Sequence, residues 1–207
     1  MYARSSTIHA QPSSMDEGIM HMNEQTMPAL MQVPGCIGLS LMVNRDSGLC
    51  IATSSWDSEE SMRNSAVAAG TLRSMATGRF SGQLDKVDEW DIAVLHREHT
   101  AMAGSCVRCS WVQTQMGGME QLIDTFAHTV MPDLEEMEGF CSASLLVDRM
   151  SGRAVSAVAW DSHMAMDANR QRANQLRTHT MARLGSTVMD VQEFDLAIAH
   201  LRVPELV

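Results

Sequence analysis

Two histidines, His96 and His200, stand at the same place in two near-copies of one motif, EWDIAVLH (89–96) and EFDLAIAH (193–200). Imidazole is the side chain most easily poised as a base near neutral pH, so each is a candidate proton acceptor. A histidine at a strand end can equally serve by bonding a backbone carbonyl. Arg73 and Arg177 recur in the same way, in Leu72-Arg73 and Leu176-Arg177. A guanidinium can steady an anionic or carbonyl oxygen, or it can pair with an acid on a solvated helix face. Trp56 and Trp160 each open a Trp-Asp-Ser triplet. Their rings could stack on a flat aromatic molecule or plug the end of a core.

Other chemistries lack their spacing. The eight histidines show neither HxxxH nor HxH and no carboxylate cluster beside them, so no metal site is expected. Cys106-Val-Arg-Cys109 has the form of a redox or zinc motif, but CVRCSWVQ reads as a strand, where positions three apart face opposite ways. Gly117-Gly118 has Ser13-Ser14 as its counterpart and fits neither GxGxxG nor a P-loop, and no GxSxG elbow occurs. Nucleotide and hydrolase readings fall away.

Composition narrows the classes further. The 207 residues carry 15 Lys plus Arg against 25 Asp plus Glu, a net charge of −10, so the phosphate attraction behind nonspecific nucleic-acid binding is missing. No run approaches the ~18–20 apolar residues of a membrane helix, and MYARSSTIHAQ has no apolar signal region. Five cysteines, an odd number, suit a reducing compartment, and a soluble cytoplasmic protein is the expectation. Met is abundant at 19, against 4 Trp, 4 Phe and 1 Tyr, which implies a core filled largely by flexible thioethers.

The chain aligns with itself end to end at an offset of 104 residues, Trp56 falling on Trp160, without a gap. Met27-Pro28 falls on Met131-Pro132, SLMVNRDSG (40–48) on SLLVDRMSG (144–152), and Trp56-Asp57-Ser58 on Trp160-Asp161-Ser162. Two domains, 1–103 and 105–207, follow from this duplication. Each begins with a strand (2–11; 106–115) and continues with a helix over 15–33 that ends at Gly35 or Gly139. Pro28 and Pro132 fall inside that helix and predict a kink. A hairpin over 36–44 and 49–55 turns at Arg45-Asp46-Ser47-Gly48. A helix capped by Asp57 or Ser58 runs to about Met75, and a strand over 87–96 closes the unit. The order β-α-β-β-α-β is ferredoxin-like, with a sheet covered on both faces, one by its own helices and the other by a second sheet.

This order, the small-residue helix stops PGCIG (34–38) and EGFCS (138–142), and the Trp-Asp-Ser hairpin ends SSWDSEESM (54–62) and VAWDSHMAM (158–166) carry a resemblance. Each repeat resembles the antibiotic-biosynthesis-monooxygenase-like domain of the dimeric α+β barrel superfamily, and the whole chain looks like uncharacterised tandem actinobacterial members. The resemblance implies an α+β fold of two ferredoxin-like repeats whose antiparallel sheets pair as an intramolecular dimeric barrel, a pseudo-dimer able to associate further. It implies a cofactor-independent monooxygenase acting on a small aromatic or quinol-like molecule, with no cofactor. In such a site Trp56 and Trp160 orient the substrate, Arg73 and Arg177 stabilise an oxyanion, and His96 and His200 act as bases. The family's pocket asparagine falls on Ala52 and Ser156, and its tyrosine on Met62 and Met166, which become candidate substrate contacts. A haem-degrading relative would need a ligand near Thr178, where His179 is the nearest candidate. The alternative is a non-catalytic structural, stress-related or regulatory protein that kept the fold and lost the site.

Overall fold

A computed structural model describes residues 1–102, 104–201 and 203–206. Ala103 and Val207, the last residues of the two repeats, lie outside the described residues. In the first repeat β1 (Tyr2–His9) leads to α1 (Met15–His21), a π turn (Met22–Thr26) and α2 (Met27–Leu30). The hairpin β2 (Cys36–Asn44) and β3 (Leu49–Trp56) follows, then α3 (Glu59–Asn64), α4 (Ala66–Arg79) and β4 (Gln83–Arg97). The second repeat has β5 (Cys106–Gln113), α5 (Met119–Thr125), a π turn (Phe126–Val130), α6 (Met131–Glu135) and β6 (Phe140–Asp148). It ends with β7 (Arg153–Trp160), α7 (His163–Ala168), α8 (Arg170–Leu184) and β8 (Thr187–Leu201). Cys106 and Cys109 lie on one strand, β5, with neither sulfur in a disulfide.

The proline kink takes the form of a π turn. Pro28 has no N–H, and its ring would collide with the carbonyl four residues back. Widening Met22–Thr26 relieves that collision, and Pro28 falls at the start of α2, where a missing N–H is tolerated. Pro132 does the same after Phe126–Val130.

The second helix differs from the single span expected. It breaks at Ser65 and runs on to Arg79. The Met62 carbonyl accepts from the Ser65 hydroxyl at 2.6 Å and from Arg4 at 2.7 Å, so it is drawn away from the helical ladder. Ser58 and Ser162 cap the helix starts, accepting from the backbone N–H of Ser61 and Ala165. Gly48 and Gly152 close the hairpins at φ +75° and +74°, a backbone region that glycine enters without penalty.

Compact units and sequence repeats do not coincide. One unit comprises Met1–Trp90 with Phe194–Val203, the other Asp91–Glu193 with Pro204–Val207. Strand pairing is the reason. The later part of β8 pairs with β2, Val43 opposite Asp195 and Leu41 opposite Ile198. The later part of β4 pairs with β6, Asp91 opposite Val147 and His96 opposite Ala143. Each 15-residue closing strand therefore contributes to both units, and the hydrogen-bonded order β1-β3-β2-β8-β5-β7-β6-β4 closes on itself. The first unit's core gathers Ile8, Met15, Leu41, Trp56, Met62 and Phe80. The second gathers Leu122, Met131, Phe140, Trp160 and Met166. Thioethers meet thiols in both, Cys50 on Met15 at 3.4 Å and Cys106 on Met166 at 3.8 Å. Among the described residues no helix is long and apolar enough to cross a membrane.

Two glycines test the local account in opposite directions. A Cβ at Gly48 would lie 2.3 Å from the Ala10 carbonyl oxygen at positive φ, whereas one at Gly70 on α4 meets nothing within 4 Å. In urea denaturation Gly48→Ala lowers stability by at least about 1–2 kcal/mol, and Gly70→Ala raises it by about 0.5–1 kcal/mol.

Candidate functional site

Strand alternation puts Arg4, Ser6 and Ile8 of β1 on one face, with Ala52 and Ser54 of β3 directly opposite Ser6 and Arg4. The π turn covers this floor through Met22 and Thr26, and α4 covers it through Leu72, Arg73 and Ala76. The first unit thereby encloses a cavity of about 40 Å³. The second unit builds the equivalent cavity from Arg108, Ser110 and Val112 of β5 and from Ser156, Val158 and Trp160 of β7. Its roof is Phe126 and Val130 of the π turn with Leu176, Arg177 and Thr180 of α8, and its volume is about 70 Å³. At ~10–15 Å³ per water it accommodates several solvent molecules or part of a small ligand.

The two cavities differ in how their donors are met. In the first, Trp56 Nε1 donates to Ser54 Oγ at 3.1 Å. Arg4 donates to Ser65 Oγ at 3.0 Å, to the Met62 carbonyl at 2.7 Å, and to Glu89 at 2.9 and 2.7 Å. In the second, Val158 replaces Ser54 and Asn169 replaces Ser65. Trp160 Nε1 and Arg108 Nη1 are consequently buried without a hydrogen-bond partner among the described residues. Asn169 is engaged elsewhere, donating to the carbonyls of Glu138 and Ala165, each at 2.9 Å. Arg108 keeps its carboxylate, Glu193, with Nε at 2.9 Å. A buried donor left unmet costs about 1–3 kcal/mol, so this cavity favours an oxygen-bearing guest.

The field favours an anion. Arg177 reaches Asn174 Oδ1 at 2.9 Å and Ser110 Oγ at 3.5 Å, and among the described residues no carboxylate pairs with it. Burial first, and then the neighbouring Arg108 charge, lower its pKa. Glu193 is shared between Arg108 and Arg170, so the two cavity arginines are not fully neutralised.

Trp160, Arg73 and Arg177 thus line cavities, as do Ala52 and Ser156. The other candidates stand elsewhere. Trp56, Met62 and Met166 are fully buried core residues outside the cavity walls. His96 lies 3.0 Å from Glu135 and 3.5 Å from Glu205, and stacks on Phe140, which stands edge-on to Trp160. Phe140 therefore separates His96 from the cavity. His200 lines neither cavity, and His179 is exposed on α8. Among the described residues no Asp, Glu or His lines either wall. The buried arginines Arg4 and Arg108 went unread in the sequence, although a signal exists. Both arginines and both of their carboxylates, Glu89 and Glu193, recur at the repeat offset with the same separation of 85 residues. A separate cluster of possible ligands, His99, Cys141 and Asp161, also lies in the second unit.

No family model matches the chain. The uncharacterised protein Rv2558 of Mycobacterium tuberculosis is 49% identical over 208 residues, spanning 100% of this chain and 88% of that protein. The chain belongs to the Rv2558 family. Among solved structures, an anthrone oxidase-like protein superposes with a TM-score of 0.65 at 13% identity, covering 94% of this chain and 90% of that one. A ferredoxin-fold protein from Listeria monocytogenes, related to antibiotic biosynthesis monooxygenases, gives 0.52 at 9% identity and covers 95% of both chains. These likenesses establish the fold as that of the monooxygenase-like α+β barrels, and the tandem layout follows from the repeat. Activity is a separate question, because one fold carries many chemistries.

The Arg108–Glu193–Arg170 network has a pH signature. Burial alone would raise the Glu193 pKa, but hydrogen bonds from Arg170 and Arg108 outweigh it and hold the carboxyl below its ordinary 4.5. A depressed folded-state pKa stabilises fully above the unfolded value, and that stabilisation is lost as pH falls through the folded one. Glu193→Gln therefore lowers stability at pH 7, and urea titrations across pH show the gap from the parent chain closing only below about 4.5.

Proposed function

We propose that the second unit's cavity binds a small, flat, oxygen-bearing anion, an aromatic carboxylate or the phenolate of a quinol. The observation that carries this is the pair of unmet buried donors, Trp160 Nε1 and Arg108 Nη1, beside the under-neutralised Arg177. The indole wall and the aliphatic side chains of Leu122, Val130 and Leu176 suit an aromatic body, and the donors suit its oxygen. The first unit is the better-satisfied form of the same site. Ser54 and Ser65 meet the Trp56 and Arg4 donors from within, the Thr26 hydroxyl stays buried without a partner among the described residues, and its cavity is smaller.

Cofactor-independent oxygenation is the catalytic form of this reading. Arg108 and Arg177 would favour the deprotonated quinol, the electron-rich form that reacts with O2. With no carboxylate or imidazole on the wall, the substrate would enter already ionised, and His96 and His200 would play no part as bases. The geometry supports binding more directly than turnover.

Calorimetry with hydroxynaphthoates, hydroquinones and anthrones tests the reading. At least one is expected to bind and raise the melting temperature. Arg177→Gln and Val158→Ser, the latter giving Trp160 the internal partner that Trp56 has, should each weaken binding about tenfold or more, while Arg73→Gln leaves it unchanged. Binding by none of the panel, or binding indifferent to both changes, contradicts it. Oxygen uptake with the tightest quinol, abolished by Arg177→Gln, would establish turnover.

A further inference from the structure

Three donor atoms of different chemistry converge at one end of the second unit. Asp161 follows β7 directly, Cys141 opens β6, and His99 lies just beyond β4. His99 Nε2 is 2.9 Å from Asp161 Oδ1, Cys141 Sγ is 3.2 Å from the same oxygen, and all three donor atoms lie within 4.8 Å of one another. Backbone bonds fix the three segments. Asp161 N–H donates to Gly139 O at 2.9 Å, and Glu98 and His99 N–H donate to Cys141 O at 2.9 and 3.3 Å. Cys141 is buried, while His99 and Asp161 are 42% and 48% exposed, so the cluster has a closed thiol side and an open solvent side.

We propose that His99, Cys141 and Asp161 form a binding site for a borderline-soft divalent cation of the zinc class. Thiolate, imidazole and carboxylate are the donors such an ion takes, and three protein ligands leave a fourth tetrahedral position for water from the open side. Ligand distances of about 2.0–2.3 Å place tetrahedral donors roughly 3–4 Å apart, so only small side-chain adjustments are needed. Binding expels the Cys141 proton to solvent. If His99 donates from Nε2 to Asp161 in the empty site, that proton moves to Nδ1, freeing Nε2 for the ion. Because the thiolate and not the thiol is the ligand, the ion competes with the Cys141 proton, and affinity rises with pH as that competition falls. Asp161 and the buried Cys106 thiol face Cys141, and Asp161 also faces His99.

The first unit serves as an internal control. Asp57 matches Asp161, but Ile37 stands for Cys141 and Val203 for His99, so that unit lacks two of the three donors. The site shares no residue with the cavity lining, and its test is independent of ligand binding there.

Chelator-treated full-length protein is titrated with Co2+ and followed by absorption. The expected result is one equivalent bound with a near-ultraviolet thiolate-to-cobalt band, which Zn2+ then abolishes. Cys141→Ser removes the band, and Cys36→Ser, at a half-buried thiol outside the cluster, retains it. Asp161→Asn changes a half-exposed residue. With the circular dichroism spectrum unchanged, it should weaken Co2+ binding at least about tenfold. A Co2+ spectrum without the thiolate band, a band that survives Cys141→Ser, or unchanged affinity in folded Asp161→Asn overturns the proposal.

Discussion

A guanidinium removed from water must find acceptors for its five N–H groups, and this demand organises the region around each cavity. Arg4 and Arg108 sit on the first strand of their repeats at 4% exposure, each tied to a carboxylate on a closing strand, Glu89 or Glu193. In the first unit the demand is met from every side. Ser65 and the Met62 carbonyl close the gap, and the second helix breaks where they do so. In the second unit the same arginine stands over a larger cavity with one nitrogen unmet, and the adjacent indole shares the deficit. Two substitutions between the repeats, Ser54 against Val158 and Ser65 against Asn169, account for the difference.

Duplication makes such a divergence tolerable. With both repeats on one chain, each closing strand enters both units, so the two sites can differ, the Trp56 and Arg4 donors being met by neighbouring side chains while Trp160 Nε1 and Arg108 Nη1 are not. The π turns support the same division of labour. Forced by Pro28 and Pro132, they put a wide helical turn over each cavity, contributing Met22 and Thr26 on one side and Phe126 and Val130 on the other. The proline fixes where the roof is wide, and the side chains fix how much space remains beneath it.

Most of the fold was legible because it rests on local signals written twice. Glycines at the hairpins, Ser58 and Ser162 at helix starts, and the apolar faces of the closing strands each follow from short-range chemistry. Which closing strand pairs with which hairpin was not legible, since apolar patterns fix a strand's faces and leave its neighbour open. The site was read in part. Trp160 and Arg177 line the cavity, whereas repetition could not separate Met166, a core residue packed on Cys106, from a ligand contact. Likewise His96 and His200 share a position without sharing the cavity. The cluster of His99, Cys141 and Asp161 was invisible to spacing rules because three separate strand ends assemble it. The methionine excess has two sources: Met15, Met62 and Met166 fill cores, while Met116, Met150 and Met164 are exposed.

The central claim is that Trp160 carries the unmet donor and Trp56 does not. A ¹H–¹⁵N spectrum of the full chain resolves the indole N–H of each of the 4 tryptophans, Trp56, Trp90, Trp111 and Trp160, assigned by single substitution. On titration with the tightest-binding aromatic anion, the account predicts that the Trp160 indole resonance moves downfield as it gains an acceptor, while the Trp56 resonance, already bonded to Ser54, stays in place. Movement of Trp56 in place of Trp160, or saturation of binding with the Trp160 indole unmoved, would contradict it.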